Sequence, residues 1–153
     1  MDSIDKKILN CLQADTSLSI SEIADRVNLS QTPCWRRIQN MEKSGVIKRR
    51  VAILDRNCIN LGITVFVSLK TRHHNREWLD KFARAVDDLP EVVEFYRMSG
   101  DVDYLLKVVV PDINAYDDVY KRLIDKIDLD DVSSTFAMEE IKCETALPLG
   151  YIR

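Results

Sequence analysis

Four glycines, four prolines, four cysteines and two histidines in 153 residues leave little material for several common kinds of site. So few glycines make phosphate-cradling loops scarce, and neither a nucleophile elbow nor a metal-hydrolase spacing occurs, so catalysis is not expected. Cys11, Cys34, Cys58 and Cys143 are scattered without a C-x-x-C pair and read as reduced thiols rather than bridges. His73 and His74 are adjacent at a strand end, where neighbours point to opposite faces; no further ligand stands at a fixed spacing, so no metal is expected. There is no apolar run of about 18 residues and no charged-then-apolar leader, so the expectation is a cytoplasmic protein without a membrane span. The chain also lacks an excess of positive charge. A net charge of −3 argues against indiscriminate nucleic-acid binding by the whole surface.

The charge is, however, unevenly placed. Residues 1–56 hold ten basic against seven acidic residues, and residues 57–153 hold twelve against eighteen. Within the first part, Ser19 to Arg50 has the form of two short helices at a tight turn. Ser19 and Glu22 make an S-x-x-E capping box, and Ile20, Ile23, Ala24 and Val27 share one face. After Asn28-Leu29, Ser30 can cap a second helix whose first turn tolerates Pro33, and Gly45 ends it. Cys34, Ile38 and Met41 form its buried stripe, which turns Thr32, Arg36, Gln39, Asn40 and Lys43 outward. Trp35 falls on the flank and is expected to pack against the side of the module. A preceding helix from Asp2 to about Ala14 supplies Ile4, Ile8, Cys11 and Leu12 as a packing surface.

This is the sequence form of a helix-turn-helix reader of the major groove of double-stranded DNA. A basic helix face is ordinarily just solvated, but six Lys or Arg against the single Glu42 between Pro33 and Arg50 mark a localised footprint. Gln31, Thr32, Arg36 and Gln39 are the candidates for base or near-base contacts, with Arg37 and Lys43 flanking them. Ser30 and the free amides of the helix start suit a phosphate. Val46 to Leu54 reads as a strand, where Lys48, Arg49 and Arg50 would meet backbone phosphates as a wing.

From Ile63 the period changes. Strands are expected over Thr64–Thr71, Val92–Ser99, Tyr104–Val110 and Val132 to about Cys143, with helices over Arg76–Leu89 and from Pro111-Asp112 onward. Tyr116 and Tyr120 are read as core. The order β-α-β-β-α-β is the ferredoxin-like arrangement, in which two helices cover one face of a four-stranded antiparallel sheet. Val65, Val67, Leu105, Val108 and Phe136 are expected to leave apolar side chains on both faces, which sheet stacking in a dimer would cover. The fold class is therefore α+β, divided as residues 1–54 (winged helix-turn-helix), 55–62 (linker) and 63–153 (effector binding and oligomerisation).

Asp5-Lys-Lys-Ile-Leu, Val27-Asn-Leu-Ser30, Met41-Glu-Lys-Ser-Gly-Val-Ile47, Ser99-Gly-Asp-Val-Asp-Tyr-Leu-Leu-Lys107, Val110-Pro-Asp112 and Met138-Glu-Glu-Ile-Lys142 stand in the order and spacing of one family. In these motifs the chain resembles the Lrp/AsnC feast-or-famine transcription regulators. Gln31-Thr-Pro-Cys-Trp-Arg-Arg, Leu69-Lys-Thr-Arg-His-His, Phe95-Tyr-Arg-Met and Ser133-Ser-Thr-Phe-Ala-Met are similar to the subgroup that includes a cysteine-responsive detoxification regulator. The resemblance implies an N-terminal winged helix-turn-helix and a C-terminal amino-acid-sensing domain. It further implies dimers that assemble into tetramers of dimers, with effector pockets between dimers and no cofactor beyond a small amino acid.

The turn Ser99–Tyr104 has its own reason to hold an amino acid: Gly100 permits close backbone approach, amides can take a carboxylate and an Asp can pair an ammonium. G-D-x-D is more commonly a plain hairpin turn. Carried over from the resemblance, the pocket involves Met98, Gly100, Asp101, Asp103, Tyr104 and Leu105, together with Asp112 and with Thr135, Phe136 and Ala137 on the last strand. The expected function is sequence-specific transcription regulation responsive to a small amino acid, with cysteine as the first candidate. The alternative is an architectural nucleoid-type protein with little effector control.

Overall fold

The computed structural model describes residues 1–73 and 75–152 and divides into two units, residues 1–53 with 141–153 and residues 54–140. In the first unit, α1 (Ser3–Ala14), α2 (Ile20–Arg26) and α3 (Gln31–Lys43) close on one core made of Ile8, Leu9, Leu12, Ile23, Ala24, Val27, Cys34, Ile38 and Met41. Asp2 and Ser19 cap the first two helices in reciprocal boxes with Asp5 and Glu22, each satisfying amides that the helix start leaves without partners. The connector between α2 and α3 turns on Asn28 at φ 56°, a left-handed conformation that asparagine tolerates. Gly45, at φ 77° just past α3, ends that helix in the same region.

In the second unit the order is β1 (Ile63–Lys70), α4 (Arg76–Asp87), β2 (Val92–Arg97), β3 (Tyr104–Val110), α5 (Ile113–Lys126) and β4 (Asp131–Phe136). The sheet is antiparallel with order β2-β3-β1-β4, the ferredoxin-like topology. Val65, Val67, Leu69, Tyr104, Leu106, Val108 and Val110 meet Phe82, Ala85 and Val86 of α4 and Tyr116, Val119 and Leu123 of α5. Tyr120 packs at the margin of this core, as its helical spacing implies.

Three expectations need correction. Residues 46–54 form no strand; apart from Ile47, which packs on the helical core, they are exposed and find no ladder partner among the described residues, and an extended segment becomes a strand only when its amides and carbonyls are paired. β4 stops at Phe136 rather than near Cys143. Phe136 is the last residue in register, opposite Val65; Ala137 adds one donation to the Thr64 carbonyl at 2.9 Å, and the pairing with β1 goes no further. The expectation of apolar side chains on both faces of the sheet holds. Val65, Val67 and Val108 lie in the core and Phe136 packs on Tyr116, whereas the register places Phe66, Leu105, Lys107, Glu94 and Tyr96 on the opposite face. Finally, residues 141–153 group with the first unit rather than with 63–140, because Leu149 and Ile152 pack on the helical core.

All four cysteines are free thiols; Cys34 is fully buried, and its burial raises its pKa above the usual thiol value. Among the described residues no helix is long and apolar enough to cross a membrane.

Candidate nucleic-acid interface and effector site

Burying Cys34, Ile38 and Met41 fixes the roll of α3 and turns Thr32, Arg36, Asn40 and Lys43 outward as one exposed stripe. Arg36 and Lys43 have no ion-pair or hydrogen-bond partner among the described residues, nor have Lys48 and Arg49 beyond the helix. Ser30 occupies the N-cap position, yet its hydroxyl makes no capping bond. The reason is local: the side chains of Asp2 and Ser19 accept from the third helical amide, and in α3 that position is Pro33, which has no N–H. The Ser30 hydroxyl and the first α3 amides are thereby left for another acceptor or donor, and a phosphate fits both.

The other sequence candidates on this surface are engaged. Arg37 reaches Asp2 and Asp5, at 2.7 Å each, and ties α3 to the start of α1. Its hydrogen bonds to the Asp5 and Asp2 carboxylates hold the guanidinium still more firmly protonated. Asp2 is held below the usual carboxylate range by the Asp5 amide and then by Arg37. Gln39 donates to Glu42 at 2.8 Å, Arg50 pairs with the other Glu42 oxygen at 2.8 Å, and Gln31 donates to Ser21 at 3.0 Å. Trp35 is 50 % exposed instead of packed, because its position lies off the buried stripe. Helical angles locate the outward face; they do not show which of its charges a neighbouring helix or strand segment claims.

Hydrogen bonds centred on Asp103 help to hold the turn between β2 and β3. Met98 N donates to the Asp103 carbonyl at 2.8 Å, Asp103 N to the Leu69 carbonyl at 3.0 Å, and Thr71 N to the Asp103 carboxylate at 2.9 Å. Asp103 is thus a clip between this turn and the end of β1. Gly100 sits at φ 117° with open space where a side chain would stand, and Asp101 is exposed. Tyr104 is buried among Trp78, Phe82 and Phe95 and forms the floor beneath the turn. Leu105 lies on the opposite face.

Asp112 caps α5, accepting from Ala115 N at 2.8 Å. Thr135 pairs with Phe66, Phe136 packs on Tyr116, and Ala137 joins Thr64. The turn group therefore lies at the Leu69 end of β1 and the β4 group at the Thr64 end. About three strand residues, roughly 10 Å, separate them. One chain does not gather the two groups into a single pocket.

Two residues near the turn escaped sequence reasoning. Thr71 is buried and accepts from His73 N at 3.0 Å. Trp78 packs between His73 and Tyr104, its indole N–H buried without a hydrogen-bond partner among the described residues. Trp78 was legible only as one member of an apolar helix face. His73 Nε2 lies 3.7 Å from Asp128, while His74 is outside the described residues. Among the described residues no group of three potential metal ligands comes together.

Comparison with known proteins covers the chain from both ends. The winged helix-turn-helix DNA-binding family matches residues 1–48, and the Lrp/AsnC ligand binding domain family matches residues 64–147. The glutamate uptake regulatory protein of Zymomonas mobilis is 49 % identical over 97 % of this chain and 91 % of its own length. The DNA-binding transcriptional activator DecR of Escherichia coli is 47 % identical over 97 % and 99 %. An AsnC family transcriptional regulator from Agrobacterium tumefaciens superposes with a TM-score of 0.97 at 61 % identity, covering all of both chains. A transcriptional regulator of Neisseria meningitidis, solved as its L-Met complex, superposes with a TM-score of 0.93 at 34 % identity over 100 % and 99 %. With both domain types matched in order, and relatives of this identity aligned over nearly the whole length, the chain belongs to the Lrp/AsnC family of DNA-binding transcription regulators, which are not enzymes.

Proposed function

We propose that this protein is a cytoplasmic, sequence-specific regulator whose hold on double-stranded DNA changes when a small amino acid binds its C-terminal domain. The observation that carries the reading is the exposed Thr32–Arg36–Asn40–Lys43 stripe with its two unpaired cations, on a helix whose start offers a free hydroxyl and free amides. Arg36 reads a base edge, since Arg to guanine is a matched bidentate pair, and Thr32 and Gln39 act beside it. Ser30, Gln31 and Lys43 border the same surface. Lys48, Arg49 and Arg50 supply phosphate contacts. Arg37 serves as the brace between α1 and α3.

The effector domain works as an assembly of copies, a dimer and then a tetramer of dimers. The turn group of Met98, Gly100, Asp101, Asp103, Tyr104 and Leu105 and the more distant group of Asp112, Thr135, Phe136 and Ala137 are brought into shared pockets by neighbouring copies. Cysteine is the first effector to test, on the likeness to the cysteine-responsive subgroup; methionine follows from the Neisseria complex, and glutamate from the Zymomonas relative. An effector shifts DNA binding only as far as it prefers one assembly state over another.

Thermal-shift screening of the twenty amino acids, followed by footprinting with each hit, tests the reading. A discrete pseudo-palindromic footprint that changes with an amino acid is the expected result. Uniform coverage insensitive to every amino acid would instead establish the architectural alternative.

A further inference from the structure

The last residues of the chain are tied to the DNA-binding unit by polar anchors on their backbone. The Gln13 carboxamide grips Leu147 from both sides, accepting from its amide at 2.6 Å and donating to its carbonyl at 3.2 Å. Lys6 Nζ donates to the Ile152 carbonyl at 3.0 Å. Between these anchors a single 3₁₀ turn, Leu149–Tyr151, helps to set Leu149 and Ile152 against the core of α1, α2 and α3. Because Gln13 and Lys6 both stand on α1, the tail is fastened to the same helix whose start is joined to α3 through Asp2, Asp5 and Arg37.

At its other end the segment is fastened to the effector domain. Ala137 joins Thr64, and Glu140 pairs with Arg56 at 2.7 Å. Residues 141–146 alone separate the Glu140 and Leu147 anchors, which is at most about 25 Å of fully extended chain. β4, from which the segment emerges, is an edge strand paired with β1, held to the core through Val132, Phe136 on Tyr116 and Ser134 to Tyr116, and otherwise exposed. This is a second covalent crossing between the units, short in sequence and anchored at both ends.

We propose that residues 137–152 form a strap that couples the effector domain to the DNA-binding unit, with Gln13 and Lys6 as its positioning residues: a shift at the β4 edge reaches α1 through the strap and, through Arg37, alters the presentation of α3. This rests on the functional reading above. It differs from that reading in naming the C-terminal crossing, rather than the segment at 46–62, as the route of communication.

The test inserts Gly-Ser-Gly between Cys143 and Glu144 in the full-length protein, which lengthens the crossing and leaves both sets of anchors intact. Affinity for the footprinted DNA is measured with and without saturating L-cysteine or L-methionine, and binding of the same amino acid is measured by calorimetry. The inserted chain is expected to bind DNA without amino acid within about twofold of the parent and to bind the amino acid as the parent does. The change in DNA affinity caused by the amino acid should fall to less than about a third of the parent's. Gln13→Ala is expected to do the same, and Gln13→Met, which keeps the bulk but not the hydrogen bonds, should not restore the response.

An inserted chain that responds fully while the parent responds overturns the strap. So does a Gln13→Ala protein that loses DNA binding in the absence of amino acid together with its thermal stability, since the tail is then only a prop. A parent with no amino-acid response overturns the functional reading itself, and the strap with it.

Discussion

Ser19 and Ser30 stand at equivalent positions before two helices and do different things. Ser19 accepts from Glu22 N at 3.2 Å while Glu22 bonds back at 2.8 Å, so Ser19→Ala should cost about 1 kcal/mol, read as a lowered midpoint in urea unfolding. Ser30 makes no such bond, so Ser30→Ala should leave unfolding nearly unchanged and weaken DNA binding instead. An equal loss of stability in both variants would remove Ser30 from the phosphate site. Arg36 and Arg37 form a second contrast. Arg36→Ala should relax base preference at one position per half-site by about 1–3 kcal/mol, measured by competition between variant duplexes. Arg37→Ala should instead lower stability by about 1 kcal/mol, since it removes an ion pair to two carboxylates at a partly buried helix contact. Arg49→Ala should weaken all duplexes alike and flatten the salt dependence by about one unit of slope.

At the scale of elements, helices were the most legible part of the sequence. Ser19, Pro33, Gly45 and Asp112 mark helix ends by chemistry confined to neighbouring residues, and the structure begins or ends helices beside each of them. Strand limits were less legible because pairing depends on a distant partner: the pairing of β4 with β1 ends at Phe136 opposite Val65, and Val46–Leu54 has no strand partner among the described residues. The candidate sites divide in the same way. The outward stripe of α3 follows from periodicity alone, whereas the capture of Arg37 by Asp2 and Asp5 needs two helices in place and leaves no trace in local sequence. Likewise, the turn Ser99–Tyr104 is recognisable by its glycine and aspartates, but the closing of Asp103 onto Thr71 is a contact across 32 residues. Leu106→Ala, at the centre of the sheet core, should cost about 2–5 kcal/mol and lower the melting temperature of the effector domain.

For the whole molecule, acidity should act first through the carboxylates whose native-state pKa is depressed. Asp2 and Asp15 lie below their ordinary 3.8, and Glu22 and Glu94 below 4.5. The Ser19 amide chiefly holds Glu22 down, and Glu94 is held first by the Tyr96 hydroxyl and then by Lys107. A depressed native value means that the unfolded chain binds more protons, so this contribution is fully present above the unfolded values and is lost as pH falls through the native ones. Circular dichroism should therefore show stability declining below about pH 4.5 and still falling below pH 3.8; constant stability down to pH 3 would contradict this assignment.

Residues 141–152 lie in the same unit as residues 1–53, so the sensor is topologically an insert: the chain leaves the helical module at Ile53 and returns to it after Glu140. The exchangeable cassette in a hybrid regulator is therefore residues 54–140, with the native C-terminal residues kept beside their own helices. A graft that replaces everything after residue 62 would strip Leu149 and Ile152 from the host's helical core and present it with foreign ones.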